Sequence, residues 1–126
     1  MKTIKNCHNC GSEKVKKESN SIIYGREYGN GKCYYCHNCK ANVGTHSNGN
    51  PLGTLATKDV QILRKACHEI FDKLWRHERV ASRGRLYTCL AERLRISSNE
   101  CHFGMFQRER CLQALEIITQ EKWWAK

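Results

Sequence analysis

Apolar residues recur at helical spacing through the second half of the chain, whereas the first half shows no long amphipathic pattern. Val60, Leu63, Cys67, Ile70, Phe71, Leu74 and Trp75 fall on one face of a 3.6-residue repeat. That spacing predicts one amphipathic helix over roughly residues 58 to 80. Thr57 is placed to cap it, and Asp59 sits in the first turn, where the helix dipole favours an acid. Ser82 can cap a second helix, with Leu86, Tyr87, Leu90 and Leu94 as its buried face. After a turn at Ser97-Ser98-Asn99, a third helix is expected from about Phe106 to about Trp123 with Leu112, Leu115, Ile118 and Cys111 inward.

Before Pro51 the glycines concentrate and the signals are those of strands and turns. Ser21-Ile22-Ile23-Tyr24 and Lys32-Cys33-Tyr34-Tyr35, with Gly25, Gly29 and Gly31 between them, read as a ribbon hairpin. Such a module is too small to bury much core and needs a staple.

The cysteines supply one. Nine cysteines in 126 residues would suggest disulfides in a secreted protein. The count is odd, however, and the N-terminal Lys2 and Lys5 have no apolar run behind them, so metal binding is the better reading. Cys7-His8-Asn9-Cys10-Gly11 and Cys36-His37-Asn38-Cys39-Lys40 are two C-x-x-C steps at the spacing of two knuckles that close one four-cysteine zinc site. Gly11 suits the tight turn behind Cys10 because glycine tolerates positive φ. Cys33-Tyr34-Tyr35-Cys36 is also a C-x-x-C step. The repeated Cys-His-Asn-Cys favours Cys36 with Cys39, giving Cys7, Cys10, Cys36 and Cys39 as ligands of one structural zinc. Cys67, Cys89, Cys101 and Cys111 lie on or near predicted helices, where a free cysteine acts as a small hydrophobe. Cys101 with His102 lacks recognisable ligand spacing, and His8, His37 and His77 read as exposed polar residues.

Charge then narrows the partner. Lysine and arginine number 22 against 12 acidic residues, a formal net charge of +10, which favours a polyanion and disfavours free carboxylate substrates. The length excludes a large two-domain enzyme, and no window is apolar enough to span a membrane, so the chain is expected to be soluble and cytoplasmic. Lys14, Lys16, Lys17, Arg26, Arg76, Arg79, Arg83 and Arg85 are the candidate phosphate contacts on DNA or RNA, with Arg64 and Lys65 as further candidates. Tyr24, Tyr28, Tyr34 and Tyr35 lie among the ribbon charges and could stack on unpaired bases.

Several stretches resemble a family of small, mostly uncharacterised zinc-finger-containing proteins of phages, prophages and their bacterial hosts. They are Cys7-x-x-Cys10-Gly11-Ser12, Ile23-Tyr24-Gly25-Arg26 with Tyr28-Gly29, Cys36-x-x-Cys39 and Val43-Gly44-Thr45-His46. Pro51-Leu52-Gly53-Thr54-Leu55-Ala56, Phe71-Asp72-Lys73-Leu74-Trp75, Tyr87-x-x-Leu90-Ala91-x-x-Leu94 and His102-Phe103-Gly104-Met105-Phe106 complete the match. The resemblance implies a zinc ribbon and a helical C-terminal half and supplies no particular activity. Arg95 stands where such proteins lead one to expect glycine in a Leu-Gly-Ile turn, and Thr45 before His46 is a second departure.

Two sharper motifs compete with plainer readings. Leu90-Ala91-Glu92-Arg93-Leu94-Arg95-Ile96-Ser97 looks like the first helix and turn of a helix-turn-helix, which would carry Asn99, Glu100, His102, Gln107 and Arg108 toward DNA. Gly104 weakens such a recognition helix, and a structural helical hairpin is favoured. His46, Asn48, Asn50 and His68 loosely match a histidine-asparagine-histidine nuclease, without the residues expected beside the general base. The combined expectation is an α+β chain, a four-cysteine zinc ribbon over residues 1–50 packed on a three-helix, helix-turn-helix-like unit over 51–126. It would act as a non-enzymatic nucleic-acid-binding or regulatory protein of a phage or mobile element. The alternatives are an inhibitor or adaptor that binds a host protein, and a metal-dependent HNH-like nuclease.

Overall fold

In the computed structural model, which describes residues 3–125, the N-terminal half is a small sheet and the C-terminal half is helical, an α+β chain. Met1 and Lys2, at the N-terminus discussed above, and Lys126 lie outside the described residues. Two compact units form, Met1–Lys58 and Asp59–Lys126. No helix among the described residues is long and apolar enough to cross a membrane.

The first unit contains strand β1 (Val15–Ser19), a helical turn α1 (Ser21–Tyr24), β2 (Lys32–Cys36) and β3 (Asn42–Gly44). The sheet order is β1-β2-β3, antiparallel throughout, with Val15 opposite Cys36, Lys17 opposite Tyr34, and Tyr34 opposite Val43. The hairpin expected from Ser21-Ile22-Ile23-Tyr24 is therefore corrected. The partner of β2 is the charged segment Val15–Ser19, and residues 21–24 form one helical turn closed by Gly25 at φ 81°. One face of β1 and β2 carries Val15, Tyr34 and Cys36 into a core with Cys7, Ala41 and Leu55. Residues 51–57 pack here too. Leu52 N–H donates to Gly44 O, Ala56 and Asn42 exchange backbone bonds, and Leu55 is fully buried.

The second unit contains α2 (Lys58–Arg76, of which Lys58 belongs to the first unit), α3 (Arg83–Leu94) and α4 (Arg108–Ile118). Phe71 on α2 is its centre, with ring centroids 4.4 Å from Tyr87, 5.2 Å from Phe103 and 6.2 Å from Trp123. Leu86, Leu90, Cys101, Phe106, Cys111, Ala114 and Ile118 belong to the same core, as do Cys67, Leu74, Cys89 and Ala91. Helix α2 stops at Arg76, short of the residue 80 expected, because Val80 N–H reaches back to Leu74 O while Arg79 takes the left-handed conformation at φ 52°. Helix α3 ends the same way: Arg95 sits at φ 60°, Ile96 N–H donates to Ala91 O, and Ile96 packs on the core. Arginine thus occupies a turn position that glycine fills at least cost. Ser82 caps α3, its hydroxyl accepting from Arg85 N–H at 3.2 Å.

In helix α4 Cys111 and Ile118 face inward as expected and Leu115 packs partly against the core, whereas Leu112 is 45% exposed and Ala114 stands inward in its stead. Helices α3 and α4 are joined by residues 95–107, which include two short 3-10 turns at Ser98–Glu100 and Phe103–Met105. That connection is longer than the three- or four-residue turn of a helix-turn-helix. It buries Cys101, Phe103 and Phe106, so it is a wall of the core.

Phe71→Ala should lower the stability of the helical unit by about 3–5 kcal/mol. Arg95→Gly should raise it by about 1 kcal/mol, relief of the left-handed side chain outweighing the added chain entropy. Thermal melts followed by circular dichroism check both, and an Arg95→Gly protein less stable than its parent would show that the turn is unstrained.

Candidate metal centre

Each knuckle is a tight turn that aims two sulfurs the same way. Gly11 N–H donates to Cys7 O at 2.9 Å and Cys7 N–H to Ser12 O at 2.9 Å. In the second knuckle Lys40 N–H donates to Cys36 O and Cys36 N–H to Ala41 O, both at 2.8 Å. The residue after each second cysteine is left-handed, Gly11 at φ 77° and Lys40 at φ 69°. The two turns thus share one geometry although only one uses glycine. The hairpin register sets Cys36 opposite Val15, and His37 N–H donates to Lys14 O at 2.8 Å, which ties the second knuckle to the strand entered from the first.

The four sulfurs of Cys7, Cys10, Cys36 and Cys39 lie within 4.8 Å of one another. Cys7 Sγ is 3.6 Å from Cys39 Sγ, and Cys10 Sγ is 3.6 Å from Cys36 Sγ. Zinc–sulfur bonds of about 2.3 Å at tetrahedral angles place thiolates about 3.8 Å apart, whereas a disulfide needs about 2.05 Å. The geometry fits zinc, and all nine cysteines are free thiols. Among the described residues this is the one such group of histidines, cysteines and carboxylates, so Cys101 and His102 form no second site. Cys33 is excluded by strand alternation: three residues from Cys36 on β2, it faces the other side of the sheet, where it is buried. His8, His37 and His77 are exposed. His8 Nδ1 accepts from Leu55 N–H at 3.0 Å, and His37 Nε2 lies 2.6 Å from Glu18 Oε2.

The asparagine of each knuckle reaches the other knuckle, a pairing that the sequence reading missed. Asn9 Nδ2 donates to Cys39 Sγ and Asn38 Nδ2 to Cys10 Sγ, both at 3.4 Å, while Asn9 N–H donates to Cys7 Sγ at 3.3 Å. The repeated Cys-His-Asn-Cys is the signal that could have revealed it. These donors spread thiolate charge. The Asn38 amide, followed by the Ser12 backbone, draws the Cys10 thiol down to about 6. Burial pushes the Cys7 thiol up to about 12. Four thiolates leave zinc no open position for water or substrate, which makes the ion structural.

The eight basic candidates are all exposed. Lys14, Lys16, Lys17 and Arg26 lie in the first unit, and Arg76, Arg79, Arg83 and Arg85 in the second. Four of them rest on aromatic rings. Lys17 Nζ is 5.4 Å from the centre of Tyr34, and the guanidinium of Arg26 is 4.7 Å from Tyr28, of Arg76 4.9 Å from Trp75 and of Arg83 5.1 Å from Tyr87. Arg64, by contrast, turns inward, its Nε donating to Phe106 O at 2.7 Å, and burial draws its guanidinium down from the usual range. Lys65 stays exposed. The residues of the nuclease pattern divide between units: His46 is exposed in the first, and His68 in the second sets its ring 4.9 Å from Phe103 and its Nδ1 3.8 Å from Asp72. Burial draws the His68 imidazole below its ordinary value.

The profile of the family described as a zinc-finger-containing domain matches residues 3–121. No curated protein and no solved structure matches the chain.

Serine in place of Cys7 or Cys39 should abolish zinc retention, measured by metal analysis of the purified protein, and unfold the ribbon; retention of metal and fold would refute the ligand set. Asn9→Ala and Asn38→Ala should each weaken zinc binding by roughly tenfold or more in competition with a chromophoric chelator. Unequal effects would contradict their reciprocal geometry.

Proposed function

Since the chain belongs to this family of zinc-finger-containing domains, and its metal centre is closed to substrate, we propose that it is a non-enzymatic, zinc-stapled protein that binds DNA or RNA. We place it in the nucleic-acid handling of a phage or mobile element. It works in the cytoplasm, where reducing conditions keep thiolates available to zinc. The observation that supports this reading is the laying of Lys17, Arg26, Arg76 and Arg83 over aromatic rings. A long cationic side chain ordinarily loses rotamer freedom when it binds phosphate, and a ring that holds it beforehand reduces that loss. The formal charge of +10 attracts the polyanion, and the held cations are ready to contact it.

Affinity for nucleic acid should fall linearly with the logarithm of salt concentration, as counterions are released. The paired reversals Lys16→Glu with Lys17→Glu, or Arg83→Glu with Arg85→Glu, should weaken binding and flatten that slope by roughly 0.9 for each duplex phosphate no longer neutralised. Retention of no nucleic acid at low salt would overturn the proposal in favour of a protein partner. Incubation with magnesium or manganese should leave DNA and RNA strands intact. Cleavage abolished by His46→Ala or His68→Ala in a folded protein would establish the nuclease instead.

A further inference from the structure

Tyr24 and Tyr28 are 58% and 46% exposed, and both line one cleft of the first unit, about 530 Å³, together with Leu52, itself 55% exposed. Their rings meet at 89° with centroids 5.3 Å apart, so they form a corner: a flat ring stacked on one presents its edge to the other. Isolated exposed aromatics need no explanation, but two that share a cleft with a third large apolar side chain do.

The corner is held in place. Asn20, buried, clamps the Tyr28 backbone on both sides, its Nδ2 donating to Tyr28 O at 2.8 Å and its Oδ1 accepting from Tyr28 N–H at 3.0 Å. Asn20 N–H in turn donates to Gly31 O at 2.9 Å, next to the start of β2. Tyr24 ends α1, which Gly25 closes in the left-handed conformation. On the remaining side Arg26 covers Tyr28, its guanidinium 4.7 Å from the ring centre and its Nε donating to the phenol oxygen at 2.8 Å. Lys32 lines the cleft as well, and no carboxylate does.

A fixed pair of aromatic rings flanked by cations, with the carboxylate of Glu27 outside the cleft lining and engaged by Ser19 Oγ at 2.6 Å, matches a flat apolar ring joined to an anion. We propose that this corner stacks an unpaired base of a single-stranded nucleic acid, with Arg26 and Lys32 beside its phosphates. The inference rests on the nucleic-acid reading above and makes it specific: single strands are preferred to duplexes, because bases already stacked in a duplex cannot enter the corner.

The test uses the full-length, zinc-loaded protein with fluorescently labelled oligo(dT) and, separately, a blunt duplex with the same number of phosphates. Wild type should bind oligo(dT) more tightly. Tyr24→Ala should weaken that binding on the order of tenfold without changing the salt slope or duplex affinity, and Tyr24→Phe should restore it. Loss of the preference with equal weakening on both probes, or no effect of Tyr24→Ala, overturns the corner and leaves the nucleic-acid reading standing. Binding of neither probe at low salt overturns both. Should Tyr24→Ala lose its zinc, photocrosslinking of wild type to bromodeoxyuridine-substituted oligo(dT) decides the matter. Crosslinks at Tyr24 or Tyr28 support the corner, and crosslinks confined elsewhere overturn it.

Discussion

Thiolate coordination of zinc is the constraint on which the first unit depends. Its sheet has strands of five, five and three residues, and its buried cluster is Cys7, Tyr34, Cys36, Ala41 and Leu55. A unit of this size buries too little apolar surface to offset its chain entropy. Metal binding supplies the missing free energy, because the four thiolates are brought together only in the fold. Two of the five buried residues, Cys7 and Cys36, are themselves ligands, so core and metal site are one object. The helical unit has a different basis. Its aromatic cluster around Phe71 needs no ion.

How much of this is legible in the sequence depends on whether local chemistry alone decides the outcome. The four ligands can be read because a knuckle is a local structure: two cysteines three apart close one kind of turn around zinc. Helices α2 and α3 can be read because their apolar faces repeat cleanly. Strand β1 cannot, since Val15-Lys16-Lys17-Glu18-Ser19 carries no apolar alternation and is a strand only because β2 supplies its ladder. The apolar Ser21-Ile22-Ile23-Tyr24 misleads in the opposite direction: Asn20 and Gly25 close it into a helical turn. In α4 the apolar repeat places Cys111 and Ile118 inward correctly but points the bulky Leu112 there as well, where Ala114 in fact stands. The 95–107 connection, whose Phe103 and Phe106 join the same core, has no periodicity to read.

The same limit applies to the site. Lys40 at φ 69° matches Gly11 at φ 77°, so the second knuckle holds a strained lysine where the first has glycine. Arg79 and Arg95 repeat the pattern at the ends of α2 and α3. In each case the surrounding hydrogen bonds over-determine a conformation that the residue itself disfavours. Propensity alone would have placed glycine at all three. At Arg95 a non-glycine residue holds the left-handed position, φ 60°, where the Leu-Gly-Ile turn leads one to expect glycine.

The metal and the aromatic corner are linked through the sheet. Zinc fixes Cys36 at the end of β2, the β1–β2 ladder runs from Val15 opposite Cys36 to Ser19 opposite Lys32, and Asn20 follows at once with its N–H on Gly31 O. Asn20 then holds the Tyr28 backbone. Each step is a directional hydrogen bond between neighbouring residues, so the position of Tyr28 is inherited from the knuckles at the other end of the hairpin. A coordination sphere closed to substrate suits such a scaffold, because an ion with no open position can be used wholly to hold the sheet and the residues placed along it.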